Sequence, residues 1–294
     1  MHRGAFFGSF PTLFYRHFLE SLFDEGYTII ALPFRFSFRH WPIAIDLFRE
    51  QEMIRRELLS RNLPGQEIYA DKSKYAWIGH SLGCKYIALL EFLSTQTVQQ
   101  SPEVTALIAA AGLEEVSIFD QPSLLLAPDI SDTESAIPVK AIAQFIDQIT
   151  VFGIPLGAHP KRQETQEFIQ RSNLFNLTAL ISFQADTVAG SLGDRYKDTK
   201  TRANSDVLWF FEYFNTKAFP ILHQELPGKH LEPVGLRFGQ NIVDLNPLDK
   251  FIAPLATRKL EKVAIEFLSK LASHGQEEQR LPREDKEVEH YASR

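Results

Sequence analysis

Gly79-His80-Ser81-Leu82-Gly83 constrains this chain more than any other stretch, because of what stands on either side of it. Ala76-Trp77-Ile78 is a short apolar run suited to a buried strand, and Cys84-Lys85-Tyr86-Ile87-Ala88-Leu89-Leu90 continues as a helix. A Gly-x-Ser-x-Gly string between strand and helix reads as a strained turn that lifts a serine hydroxyl clear of the sheet, and side chains at both glycines are expected to clash. Such a hydroxyl is a candidate nucleophile if a base takes its proton, an acid orients the base and N–H donors meet the oxyanion.

Turns of this type place their partners in the order serine, acid, histidine, each after a later strand. Residues 178–183 read as a strand, and Asp186 hangs from its end in Gln184-Ala185-Asp186-Thr187-Val188. Glu114 and Glu115 are the fallback acids. The last convincing strand is followed by Pro227-Gly228-Lys229-His230, which makes His230 the candidate base. Its competitor His223 lies within that strand and points to a sheet face. His80 belongs to the turn and reads as a packing or substrate-binding residue rather than a second base. The Leu82 amide is the first expected oxyanion donor, and the second belongs to the Arg3-Gly4-Ala5-Phe6 loop, with Ala5 the candidate. A Gly-rich loop leading into a helix normally follows a strand, yet three residues precede Gly4. The expectation is therefore that the recorded start lies downstream of the true one, or that this version lacks its first strands.

Apolar runs at 28–32, 75–78, 104–109, 178–183 and 219–225 alternate with helical patterns, which predicts an α/β architecture with a mostly parallel sheet and helices on both faces. Phe14, Phe18 and Leu22 share one helical face, as do Leu47, Ile54 and Leu58, then Ile87, Leu90 and Leu93, and finally Leu260, Val263, Phe267 and Leu271. With the serine turn, the pattern predicts an α/β-hydrolase fold with its core over 1–112 and 174–274. Residues 113–173, rich in Pro and acidic groups with amphipathic stretches near 139–151 and 163–171, are expected to form a helical cap. Residues 275–294 are charged and nearly devoid of apolar groups, which predicts a disordered tail.

Composition excludes some classes. A net charge of -6 without a long basic run argues against nucleic-acid binding. The single cysteine, Cys84, excludes an internal disulfide and a multi-cysteine zinc site, and points to a reducing compartment. No apolar run approaches the ~20 residues of a membrane span, and no signal peptide is evident, so a cytoplasmic location is expected, or the plastid stroma in a eukaryote. Peripheral membrane contact stays open. No metal or cofactor is called for, and oligomeric state is not legible.

Gly4-Ala5-Phe6, the 12–20 segment, Ile30-Ala31-Leu32-Pro33-Phe34, Gly79-His80-Ser81-Leu82-Gly83-Cys84-Lys85, the strand ending near Asp186, and Gly228-Lys229-His230-Leu231-Glu232-Pro233 together resemble an uncharacterised α/β-hydrolase family, domain of unknown function family 1350. Arg3 and Glu232 stand where relatives more usually carry glycine and threonine. The resemblance covers most of the chain and implies a cyanobacterial or plastid setting, with no substrate attached.

The 24 phenylalanines suit a core and also an apolar acyl pocket, with Phe6 and Phe34 as candidate lining. In Phe34-Arg35-Phe36-Ser37-Phe38-Arg39-His40-Trp41, aromatics alternate with arginines near the expected catalytic edge, and Lys85 reads as a solvated residue of the first helical turn. The expected function is a serine esterase, lipase or thioesterase acting on a small apolar acyl substrate through an acyl-enzyme. Two alternatives stand beside it: a non-catalytic binding protein on the same fold, and a cofactor-free haloperoxidase or carbon–carbon hydrolase using the same three residues.

Overall fold

The computed structural model describes residues 6–34, 37, 39–95, 98, 102–131, 150–151, 154–155, 160–172, 177–217, 221–243 and 252–280. Its centre is a parallel sheet of four strands: β1 (Trp77–His80), β2 (Ser123–Leu126), β3 (Thr178–Phe183) and β4 (Leu222–Leu226), in the order β1-β2-β3-β4. The register runs Gly79 to Leu125, Leu125 to Leu180, and Leu180 to His223. Parallel strands need long crossovers, and helices supply them: α1 (Arg16–Asp24) and α2 (His40–Ser60) precede β1, and α3 (Leu82–Leu93) and α4 (Pro102–Ala110) join β1 to β2. Then α5 (Arg162–Arg171) lies between β2 and β3, α6 (Asp206–Phe214) between β3 and β4, and α7 (Leu260–Arg280) closes the described chain.

Side-chain alternation along the inner strands divides the core in two. Leu125 and Leu180 join Ala44, Phe48, Tyr86, Ile87, Leu90, Phe210 and Phe214 on one face. Leu124, Leu126, Ala179, Ile181 and Phe183 join Phe18, Leu22, Val263, Phe267 and Leu271 on the other. The predicted apolar faces of α1 and α7 are thus the faces that bury. β2 and β3 are buried throughout, as strands covered on both sides should be, whereas β1 is the edge strand among the described residues and leaves Ile78 37% exposed. A small antiparallel sheet of β5 (Leu236–Phe238), β6 (Asn241–Val243) and β7 (Ile252–Pro254) was not expected.

Several expectations need correction. Residues 104–109 lie in helix α4: a short apolar run carries no period to separate strand from helix, and Pro102 in the first helical position is the start signal that decides it. Residues 28–32 form no strand. Residues 123–126, assigned to the cap, are β2 in the middle of the sheet. Ser-Leu-Leu-Leu is a fully buried strand with no polar alternation, and its neighbouring prolines made it read as loop. The amphipathic stretch near 163–171 is helix α5, while most of 139–151 lies outside the described residues. Residues 275–280 continue helix α7, and the rest of the expected tail, 281–294, lies outside them too.

Candidate functional site

Ser81 sits where β1 turns into α3, with φ 56 and ψ -123, a left-handed backbone that a side chain rarely adopts. The surroundings hold it there. Its amide donates to the Leu126 carbonyl at 3.0 Å, and its carbonyl accepts from the Cys84 amide at 3.0 Å and the Asp129 amide at 3.3 Å. A Cβ on Gly79 would lie 2.8 Å from the backbone of Gly83 and Cys84, so strand and helix approach each other only because that residue is glycine. Gly83 differs from expectation: a Cβ there meets nothing within 4 Å.

Asp186 follows β3 in a turn, its amide donating to the Phe183 carbonyl at 3.2 Å. Its Oδ1 accepts from the amides of Val188 at 2.8 Å and Ala189 at 3.0 Å, which leaves Oδ2 aimed at His230. His230 follows β4 through a turn in which Gly228 takes φ 144, and a Cβ on Gly228 would lie 2.9 Å from the Glu232 carboxylate. The Ala185 amide donates to the Gly228 carbonyl at 3.0 Å and ties the two loops together. His230 Nδ1 lies 2.9 Å from Asp186 Oδ2, and His230 Nε2 lies 2.8 Å from Ser81 Oγ. Because the carboxylate accepts, Nδ1 carries the proton and Nε2 is free to accept from the serine hydroxyl. Burial pushes the imidazole pKa down, but the Asp186 charge and hydrogen bond, with help from the Asp129 charge, raise it above the ordinary value.

The other expected site residues divide. Leu82 is the first residue of α3, so its amide has no intrahelical acceptor and stands beside Ser81. Ala5 lies outside the described residues, as do Arg35, Phe36 and Phe38. Phe6 begins a short helix, Phe6–Ser9. Phe34 donates its amide to the Gly8 carbonyl at 3.1 Å and sets its ring edge-on to Tyr86 at 5.0 Å, so it fastens the first residues to α3. His80 turns both ring nitrogens to protein: Nε2 lies 2.7 Å from the His230 carbonyl oxygen and Nδ1 lies 2.8 Å from the Tyr15 hydroxyl. His223 points to a sheet face, 3.1 Å from Ser182 Oγ and edge-on to Phe211, and burial pushes its pKa down to about 4. Glu114 and Glu115 are exposed, and Glu115 faces Lys72 at 3.4 Å.

Lys85 is not the solvated residue the sequence suggested. It is fully buried, and its Nζ donates to the Ser131 carbonyl at 3.2 Å. That contact opens onto a polar cluster that sequence reasoning missed. Asp129 takes the amide and hydroxyl of Ser131, while Asp206 takes the Ile130 amide at 3.0 Å and Arg162 Nε at 2.8 Å. Burial and the Asp129 charge push the Asp206 pKa up to about 7 against the pull of Arg162. The available signal was Asp129 itself, an acid just past the end of β2, hidden once that strand had been read as cap.

A cavity of about 660 Å³, lined by Lys161, Arg162, Arg202, Asn204, Trp209 and Glu212 among others, opens beside α5 and α6 and includes none of Ser81, Asp186 or His230. Among the described residues no group of three or more His, Cys, Asp or Glu side chains is placed to hold a metal ion, and no helix is long and apolar enough to cross a membrane.

Residues 1–107 match a family described as protein of unknown function (DUF1350). The match supports membership of the DUF1350 family. The matched stretch carries Tyr15, β1, Ser81 and α3, whereas Asp186 and His230 fall beyond it. No curated protein and no solved structure matches the chain.

Proposed function

We propose that this chain is a serine hydrolase of α/β-hydrolase fold that cleaves an ester or thioester of an apolar acyl group. What carries the reading is one continuous line of contacts, Asp186 Oδ2 to His230 Nδ1 at 2.9 Å and His230 Nε2 to Ser81 Oγ at 2.8 Å, ending on a serine held at a strained strand-to-helix turn. His230 Nε2 takes the hydroxyl proton as Ser81 Oγ bonds to the acyl carbon. The oxyanion turns to the Leu82 amide, with Ala5 offered as the second donor. Collapse of the adduct breaks the bond to the leaving group, which receives the proton from His230. A water deprotonated by the same imidazole then releases the acid and restores Ser81.

The test is labelling with a fluorophosphonate probe, which reports an activated serine without knowledge of the substrate. Wild type labels, and Ser81→Ala does not. A panel of acyl esters of increasing chain length then reads the acyl preference. A wild type that stays unlabelled overturns the reading and leaves a binding protein on this fold, and a label that persists in Ser81→Ala overturns Ser81 as the nucleophile.

A further inference from the structure

We infer that Tyr15 and His80 are positioning residues, a hydrogen-bonded strut that fixes the backbone of His230 over Ser81 and keeps His80 uncharged beside it. The inference rests on the reading of Ser81 and His230 as the reacting pair.

The direction of each bond follows from chemistry. A backbone carbonyl only accepts, so His80 Nε2, 2.7 Å from the His230 oxygen, is the protonated nitrogen. Nδ1 then holds a lone pair, and the Tyr15 hydroxyl 2.8 Å away donates to it. The tautomer of His80 is therefore set from both ends. Tyr15 comes from the junction between the short helix Pro11–Phe14 and α1, and its ring meets the imidazole edge-on at 5.7 Å. Three segments far apart in sequence thus meet on one ring: the junction at Tyr15, the serine turn and the His230 loop.

Neutrality of His80 matters because of where it stands. Its ring centroid is 5.1 Å from that of His230, the group that becomes cationic when Ser81 gives up its proton. A charged His80 would oppose that step. Protonating it would also make both nitrogens donors, against a Tyr15 hydroxyl already turned to donate. Burial first, and the His230 charge second, push the His80 pKa down to about 3. The other titratable groups acting on this assembly do not favour a charge on His80 over one on His230. Cys84 beside Tyr15 is a buried thiol pushed up in pKa, donating to the Gly79 carbonyl, while Asp186 and Asp129 both act on His230.

Imidazole 15N spectra of the full chain test the tautomer without reference to activity. His80 is expected as the neutral Nε2–H form from about pH 5 to 8, and either titration within that range or the Nδ1–H form overturns the proposal. Fluorophosphonate labelling then tests the consequence. Tyr15→Phe keeps the ring, removes one hydroxyl and is expected to slow labelling about tenfold, with His80→Ala slower still. His80→Gln, whose amide N–H reaches toward the His230 carbonyl, should label faster than His80→Ala at a matched thermal midpoint. Equal rates in wild type, Tyr15→Phe and His80→Ala overturn the strut. An unlabelled wild type overturns the hydrolase reading alone. The strut is then read from the His230 Nδ1 proton, which exchanges with water faster in Tyr15→Phe if the strut holds and at an unchanged rate if it does not.

Discussion

Two histidines 5.1 Å apart between ring centroids are driven in opposite directions by their surroundings, and each leaves a signature in pH. His230 has a raised pKa, so its contribution to stability is fully present below the unfolded value near 6.5 and is lost as pH climbs through the folded one. His80 has a folded pKa of about 3, so its contribution is present above 6.5 and lost as pH falls toward 3. Replacing His80 by Gln should therefore flatten the acid side of the stability curve between those values, which denaturant titration at several pH values would reveal. For activity, labelling of Ser81 should rise with pH through a midpoint above 6.5. Asp186→Asn removes the charge that opposes burial, so that midpoint should fall while the rate drops on the order of 10³-fold or more. An unmoved midpoint would count against Asp186 as the partner. The two glycines of the turn are also unequal. Gly79→Ala forces a methyl against backbone that cannot give way and should cost about 1–3 kcal/mol. Gly83→Ala meets open space within a helix and should gain about 0.5–1 kcal/mol. Thermal unfolding of both variants separates the cases.

Among the elements, β2 and α4 show where sequence patterns lose their power. The order of Ser81, Asp186 and His230 could be read because each follows a strand, and glycines mark two of the three turns. Gly79 announces the close approach of helix to strand, and Gly228 the left-handed turn before His230. β2 has no such mark. Its four residues are buried on both faces, so nothing alternates, and only the register with Trp77–His80 and residues 178–181 reveals it. Missing β2 meant missing Asp129, and with it the cluster joining Lys85, Ser131, Asp206 and Arg162. That cluster connects α5 to the ground beneath Ser81, because the Asp129 amide donates to the Ser81 carbonyl. Arg162→Ala removes the cation that holds the Asp206 pKa down, so the buried carboxyl should take up a proton, and a loss of about 1–3 kcal/mol is expected by chemical denaturation. A loss near zero would show that the ion pair is incidental.

At the scale of the whole molecule, β2 and β3 each contribute side chains to both halves of the core. Leu124 and Leu125 are neighbours in sequence and lie in different clusters. Neither half can come apart while the other keeps its strands, so unfolding should be a single transition. Trp41, Trp77 and Trp209 all pack against the same cluster, so their fluorescence watches one face while far-ultraviolet circular dichroism watches both. The two midpoints should coincide, and an earlier fluorescence transition would show that the faces melt separately. The bond from the Ala185 amide to the Gly228 carbonyl has a different kind of consequence. Asp186 and His230 travel on two loops clasped by their main chains, so most side-chain changes leave the clasp in place, whereas proline at 185, which has no N–H, or a one-residue insertion in either loop would break it. In a chimera with a relative, the two loops should be exchanged as a pair, since the graft of one alone would inherit a clasp cut for another partner.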